Sequence, residues 1–211
     1  MAQEIARFIA GFKKFQQQYF DSEERCFELL RREQNPKVLL IGCSDSRVDP
    51  AILTGCAPGE LFVVRNVANL VPPCEDDSHF HGVSAALEYA VCHLEVEHII
   101  ILGHSGCGGI NALMHGIPKG RPGNFIGKWV QIAHKGRQRV LEELAEKEPE
   151  KQNRACEQAA ILISLENLLT FPWITGRVRD GKLLLHGWYF DIQDGQLYSY
   201  APERAAFEPL G

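Results

Sequence analysis

Three short apolar runs constrain this chain more than any other feature. They read KVLLIGC (37–43), ELFVVRN (60–66) and HIIILGH (98–104). Each is nearly continuous in apolar residues, as strands buried on both faces are. Between the second and third lies HGVSAALEYAVCHL (81–94), whose apolar positions recur at helical spacing. After the third, CGGINALMHG opens another helix, with Gly116 placed to end it. Strands alternating with helices predict an α/β fold with a mostly parallel central sheet flanked by helices. Helical patterns follow at 124–147 and 150–169. The stretch LLLHGWYFDIQDGQLYSYAP (183–202) then alternates around Asp194-Gly195, a hairpin signal that predicts an antiparallel C-terminal edge.

Ahead of the first run, residues 3–20 carry Ile5, Phe8, Ile9, Phe12, Phe15 and Phe20 at helical spacing. The stripe is very aromatic for a terminal helix, which favours a role in clasping a partner subunit. Asp21 and Ser22 look like the cap of a second helix over 22–33. The expected organisation is therefore an N-terminal helical arm, 1–33, and an α/β domain, 34–211.

Composition narrows the function classes. A net charge of −5 with no long basic run argues against nucleic acid and anionic membranes as partners. No segment reaches the ~20 apolar residues of a membrane span. Glu4, Arg7 and Lys13 interrupt the first fifteen residues, unlike a secretory signal. A cytoplasmic protein is expected, with an organelle or microcompartment left open. Seven cysteines cannot all pair internally, and in that compartment they are expected to be reduced, buried or metal-bound. Cys26, Cys92 and Cys156 read as packing residues, and Cys56 and Cys74 as loop thiols with partial exposure.

Two of the strands end in unusual chemistry. The first runs into Cys43-Ser-Asp45-Ser-Arg47, the third into His104-Ser-Gly-Cys107. Ligands gather at the carboxyl ends of parallel strands. If these strands are neighbours, Cys43, Asp45, His104 and Cys107 converge on one point. Two thiols, an imidazole and a carboxylate suit a tetrahedral divalent site, with zinc the leading candidate. A zinc that only staples the fold usually has four Cys/His ligands in close pairs, whereas Cys43 has an acid for its near neighbour. That favours a catalytic site over a structural zinc or two plain buried thiols. GHSGCGG is no phosphate loop either, since it lacks both the G-x-G-x-x-G order and a following Lys-Ser/Thr.

CSDSRV, GELFVVRNVANLVPP, AALEYAV, GHSGCGG, SLENLLTFPWI and LHGWYFDIQDG together resemble the β-class carbonic anhydrases, over about residues 34–200. The resemblance implies one Zn2+ per subunit, held by Cys43, His104 and Cys107. It implies a zinc hydroxide that attacks carbon dioxide reversibly to give bicarbonate. Asp45 is implied as a catalytic residue that orients the nucleophile and becomes a fourth ligand only in a closed form. Arg47 is implied to hold Asp45 off the metal. Leu40 stands where bicarbonate-switched members carry tryptophan, and Gln34 matches the plant-like kind. Gln34, Phe62, Val67, Tyr89 and Gly108 then form the substrate pocket, with Gln34, Phe62 and Tyr89 supplied by a neighbouring subunit. A homodimer is the minimum on this reading, and a tetramer or octamer is compatible with it. Arg65 reads as structural or interfacial, and the loop residues His79 and His81 as surface groups rather than a proton relay. The competing readings are a carbonyl sulfide or carbon disulfide hydrolase of the same fold, and a non-catalytic zinc-containing assembly protein.

Overall fold

The computed structural model describes residues 3–21, 26–75, 77, 79–117 and 124–211, without the side chains of 26 and 29. The chain divides into two units, Met1–Asn35 and Pro36–Gly211. In the first, α1 (Gln3–Tyr19) has no buried residue. Phe27 of α2 (Cys26–Leu30) stacks on Phe20 at 4.7 Å and meets Phe15 edge-on at 5.7 Å. The helix expected over 22–33 is thus described only as this short turn, and 22–25 lie outside the described residues.

The second unit begins with β1 (Val38–Cys43). Asp49 then caps α3 (Pro50–Thr54), accepting from the N–H groups of Ala51 and Ile52 at 3.0 and 3.3 Å, with Pro50 at the first helical position. β2 (Leu61–Asn66) follows, then α4 (Gly82–Glu88), which runs into one π-turn over Tyr89–His93. Next come β3 (His98–His104) and α5 (Gly108–His115), which ends at Gly116. α6 (Phe125–Trp129), a 3-10 turn over Val130–Ala133 and α7 (His134–Glu143) replace the single helix expected over 124–147. α8 (Pro149–Leu168) and α9 (Pro172–Arg179) lead to β4 (Leu184–Asp191), β5 (Gln196–Ala201) and β6 (Ala206–Pro209). Neither α3, α9 nor β6 was expected from the sequence.

The strands form one sheet in the order β2-β1-β3-β4-β5-β6. The first four are parallel and the last two antiparallel, as the alternating pattern and the Asp194-Gly195 turn imply. β1 and β3 are central, and their side chains are buried almost throughout. Leu39, Ile41, Ile99 and Ile101 face one layer with Leu87, Val91, Ile161 and Leu168. Leu40, Ile100 and Leu102 face the other with Val48. β2 departs from the expectation of burial on both faces: it is an edge strand, its burial alternates, and Val63 is 41% exposed. An edge strand has a neighbour on one side only, so its apolar run is half uncovered.

α8 lies against β3 and β4. A Cβ at Gly103 would meet Ile161 at 2.7 Å, so the glycine is what allows the helix to come this close. Its core-facing row is Glu157, Ile161, Ser164 and Leu168, all buried. Among the described residues, no single helix is long and apolar enough to cross a membrane.

Candidate metal centre

β1 and β3 are adjacent and parallel, with Gly42 in register with Leu102. Their carboxyl ends therefore deliver Cys43 and His104 to the same edge of the sheet. The turn after β3 returns Cys107 to the same point, as the cap residue of α5. All three residues are buried, and one ligand atom from each lies within 4.8 Å of the others. The two sulfurs are 3.9 Å apart.

The imidazole is oriented for metal. His104 Nδ1–H donates to the Ser105 carbonyl at 3.0 Å, which leaves Nε2 with a lone pair. Nε2 is buried and has no hydrogen-bond partner. Such an orphan is costly unless something binds it. The sulfurs are prepared as well. A hydrogen bond from Cys107, backed by the N–H groups of Asp45 and Ala68, stabilises Cys43 as thiolate. Cys107, facing that charge from within the core, holds its proton the more tightly. Without a cation the pair readily carries one negative charge and resists the second. The donor set therefore fits a divalent metal ion.

Asp45 stands at the open side. Arg47 grips it with two bonds, Nε to Oδ1 at 2.9 Å and Nη2 to Oδ2 at 2.8 Å, and the Arg47 N–H adds a third at 3.0 Å. This guanidinium holds the Asp45 carboxyl well below the usual carboxylate range. Oδ2 lies 3.9 Å from His104 Nε2, so the carboxylate is beside the three ligands yet engaged by arginine. Arg65, from β2, clamps the loop from below by donating to the carbonyls of Cys43, Asp45 and Val48 and to the Asp49 carboxylate. The Ser44 N–H donates to the Asn66 carbonyl, which ties the same loop to β2.

Val67 and Gly108 also belong to this region. Ala68 and Asn69 both adopt left-handed backbone, at φ 64° and 48°. That turn is bracketed by the Asn66 side chain, which bonds both the N–H and the carbonyl of Leu70 at 2.9 Å. A Cβ at Gly109 would strike Val67 and Ala68 at 2.7 and 2.9 Å, so glycine lets the turn close over the start of α5. Val67 forms an exposed apolar wall with Phe125, Ile126 and Trp129, and Trp129 Nε1 donates to the Val67 carbonyl at 2.7 Å. Gly108 opens α5, where backbone N–H groups lack helical partners.

Phe62 and Tyr89 do not join this centre. Phe62 is in register with Leu39, four residues short of Cys43, or about 13 Å back along the strand. It contacts Tyr89 at 5.9 Å, and Tyr89 is 45% exposed. Gln34 lies in the N-terminal unit and is exposed.

A family model described as carbonic anhydrase matches residues 38–197. The chain is 42% identical over 200 residues to β-carbonic anhydrase 5, chloroplastic, of Arabidopsis thaliana, covering 95% of this chain and 64% of that protein. The chain belongs to the β-carbonic anhydrase family. Its fold is that of the family's solved members. The β-carbonic anhydrase CcaA superposes with a TM-score of 0.91 at 35% identity, over 100% of this chain and 93% of that one. A tetrameric β-carbonic anhydrase of Sordaria macrospora superposes with a TM-score of 0.75 at 32% identity, over 93% of each chain.

The sequence reading missed one residue behind the ligands. Glu157 of α8 is buried and accepts from the Cys107 N–H at 3.0 Å and from the Tyr189 hydroxyl at 2.8 Å. Burial pushes its carboxyl up, against the pull of those two donors. The available signal was a charged residue on the core-facing row of a helix. Among the other cysteines, Cys156 is buried and Cys74 exposed, as expected, whereas Cys92 is exposed rather than packed. Its helix ends in the π-turn, which carries it off the core-facing row. His79 and His81 both contact Asp77 in an exposed loop.

Proposed function

We propose that the protein is a zinc carbonic anhydrase, interconverting carbon dioxide and bicarbonate. The observation that carries the reading is the convergence of Cys43, His104 and Cys107, with a bare imidazole nitrogen, beside a carboxylate kept ionised by arginine. Family membership supports it. The chain spans 64% of the length of the Arabidopsis relative, so activity and partners are inferred for this chain.

Cys43, His104 and Cys107 would hold the metal. Zinc, when bound, supplies a Lewis acid that lowers the pKa of a coordinated water towards neutrality. The rest falls to the chain's own side chains. Asp45, held as carboxylate by Arg47, only accepts hydrogen bonds. Arg47 occupies both lone pairs of Oδ1 but only one of Oδ2, so Oδ2, the oxygen nearer His104, keeps a lone pair that can orient the attacking oxygen. Arg47 keeps the same carboxylate from becoming a ligand. Val67 offers an apolar wall for a nonpolar substrate, and Gly108 an N–H donor for the oxygen that gains charge.

Phe62, Tyr89 and Gln34 would complete the pocket of a second copy. The distance of Phe62 and Tyr89 from Cys43 of the same chain, the half-uncovered edge strand β2 and the unburied aromatic face of α1 all support a homodimer at minimum. The Sordaria relative is described as tetrameric. A stopped-flow carbon dioxide hydration assay, with zinc content measured alongside, tests the reading. Zinc-dependent hydration is expected. A zinc-loaded protein that hydrates carbon dioxide no faster than buffer would overturn it.

A further inference from the structure

Both polar groups of one peptide unit, Gly106–Cys107, are held by side chains, from opposite directions. Its carbonyl oxygen accepts from Arg47 Nη2 at 3.1 Å. Its N–H donates to Glu157 Oε1 at 3.0 Å. Arg47 is the clamp on Asp45, and Cys107 is a candidate metal ligand. We propose that Glu157 is a positioning residue for the metal centre, fixing this peptide so that the Cys107 sulfur and the Arg47 clamp share one rigid support. The inference rests on the metal-binding reading given above.

The geometry carries it in three steps. First, the turn needs an external hold. Gly106 has φ +67° and no side chain, and Cys107 caps α5 without a side-chain cap bond. Nothing local to the turn restrains the peptide. Second, the hold is rigid. The other carboxylate oxygen of Glu157 accepts from Tyr189 at 2.8 Å, and Tyr189 is fully buried on β4. With both oxygens engaged, the carboxylate cannot swing about its stem. α8 itself is seated tightly on β3 at Gly103. Third, the far end of the turn has its own anchor. Ser105 Oγ donates to Asp191 Oδ1 at 3.2 Å and accepts from the Ile192 N–H at 2.8 Å. Two acids inside the protein thus hold the two ends of a four-residue turn that bears two ligands. Glu157 holds the Cys107 end. Hydrogen bonds at both ends of one peptide polarise each other, so loosening one loosens the other.

The test uses the zinc-loaded protein and reads the rate of zinc transfer to a chromophoric chelator. Glu157→Ala strands the Cys107 N–H, and zinc loss should accelerate about 10- to 100-fold. In the cobalt(II)-substituted protein, the same variant should shift the thiolate-to-metal charge-transfer bands. Glu157→Gln keeps an oxygen acceptor for the N–H and should release zinc within about threefold of the parent protein. An unchanged release rate and an unchanged cobalt spectrum in Glu157→Ala would overturn the proposal, whatever happens to thermal stability. So would a Glu157→Gln protein as leaky as Glu157→Ala, because charge rather than the hydrogen bond would then be what matters. If Glu157→Ala does not fold, Tyr189→Phe frees the second oxygen alone. It should speed release several-fold, and no change would again refute the inference. A parent protein that takes up no zinc would bring down the metal reading itself, and this inference with it.

Discussion

The two sides of the candidate metal centre each present a carboxylate, and they are built oppositely. On the solvent side, Asp45 is bound by a half-exposed arginine through two parallel bonds, which drives its proton off. On the protein side, Glu157 is buried between a tyrosine and a backbone N–H, and burial raises its affinity for a proton. One residue class therefore does two jobs, chosen by surroundings. An acid facing solvent beside a fixed cation is a permanent acceptor for something that comes and goes. An acid sealed in the core is a bracket for the backbone. Neighbouring charge and desolvation are the two forces, and here they act on opposite sides of the same three ligands.

The largest expected effect comes from breaking both sides at once by removing a ligand. Cys43→Ser or His104→Ala should lose zinc and reduce hydration to the uncatalysed rate, measured by metal analysis and stopped flow. Asp45→Asn should strike the solvent side alone. Zinc content should stay near the parent value while the hydration rate falls by about 100-fold, as a misoriented nucleophile would dictate. A surviving rate would remove Asp45 from the role given to it here. Arg47→Ala sharpens the comparison through pH. The folded-state pKa of Asp45 lies below its unfolded value, so its pairing stabilises the fold above the unfolded value. That contribution is lost as pH falls through the folded one. Without Arg47 the carboxylate titrates nearer the ordinary value of about 3.9. The acid-unfolding midpoint followed by circular dichroism should therefore move to higher pH. No movement would mean the pair contributes nothing to the fold.

The smallest effect tests the seal on the protein side. Cys156 precedes Glu157, is fully buried, and burial pushes its thiol up to about 12. It should resist a thiol reagent in the native protein, while exposed Cys74 labels readily, with peptide mapping as the readout. Rapid labelling of Cys156 would show that the interior face is open to water and that the two sides are not so different.

Much of the solvent side was legible from the chain itself. Cys43, Asp45 and Arg47 are within five residues, and His104 and Cys107 within four, so each cluster announces itself locally. The parallel sheet was legible because its central strands are apolar on both faces, and the hairpin because Asp194-Gly195 marks its turn. The edge position of β2 was not legible, since its apolar run reads like that of β1. Which strand has a neighbour on each side is decided by topology. Glu157 was hidden for the same reason. Its partners, Cys107 and Tyr189, are 50 and 32 residues away, and no local pattern links them.

The sequence by itself determined the α/β class, the two strand-end clusters and the types of atom they offer. Side-chain periodicity and short-range spacing are properties of neighbouring residues, and they survive without a fold. Only the tertiary structure decided that the clusters meet, that Asp45 is held by Arg47 beside bare His104 Nε2, and that Phe62 and Tyr89 lie away from Cys43, His104 and Cys107. It alone decided that the buried glutamate of α8, Glu157, meets the Cys107 N–H. Register, burial and long-range hydrogen bonds depend on which elements pack together, and that choice is made by the whole core at once.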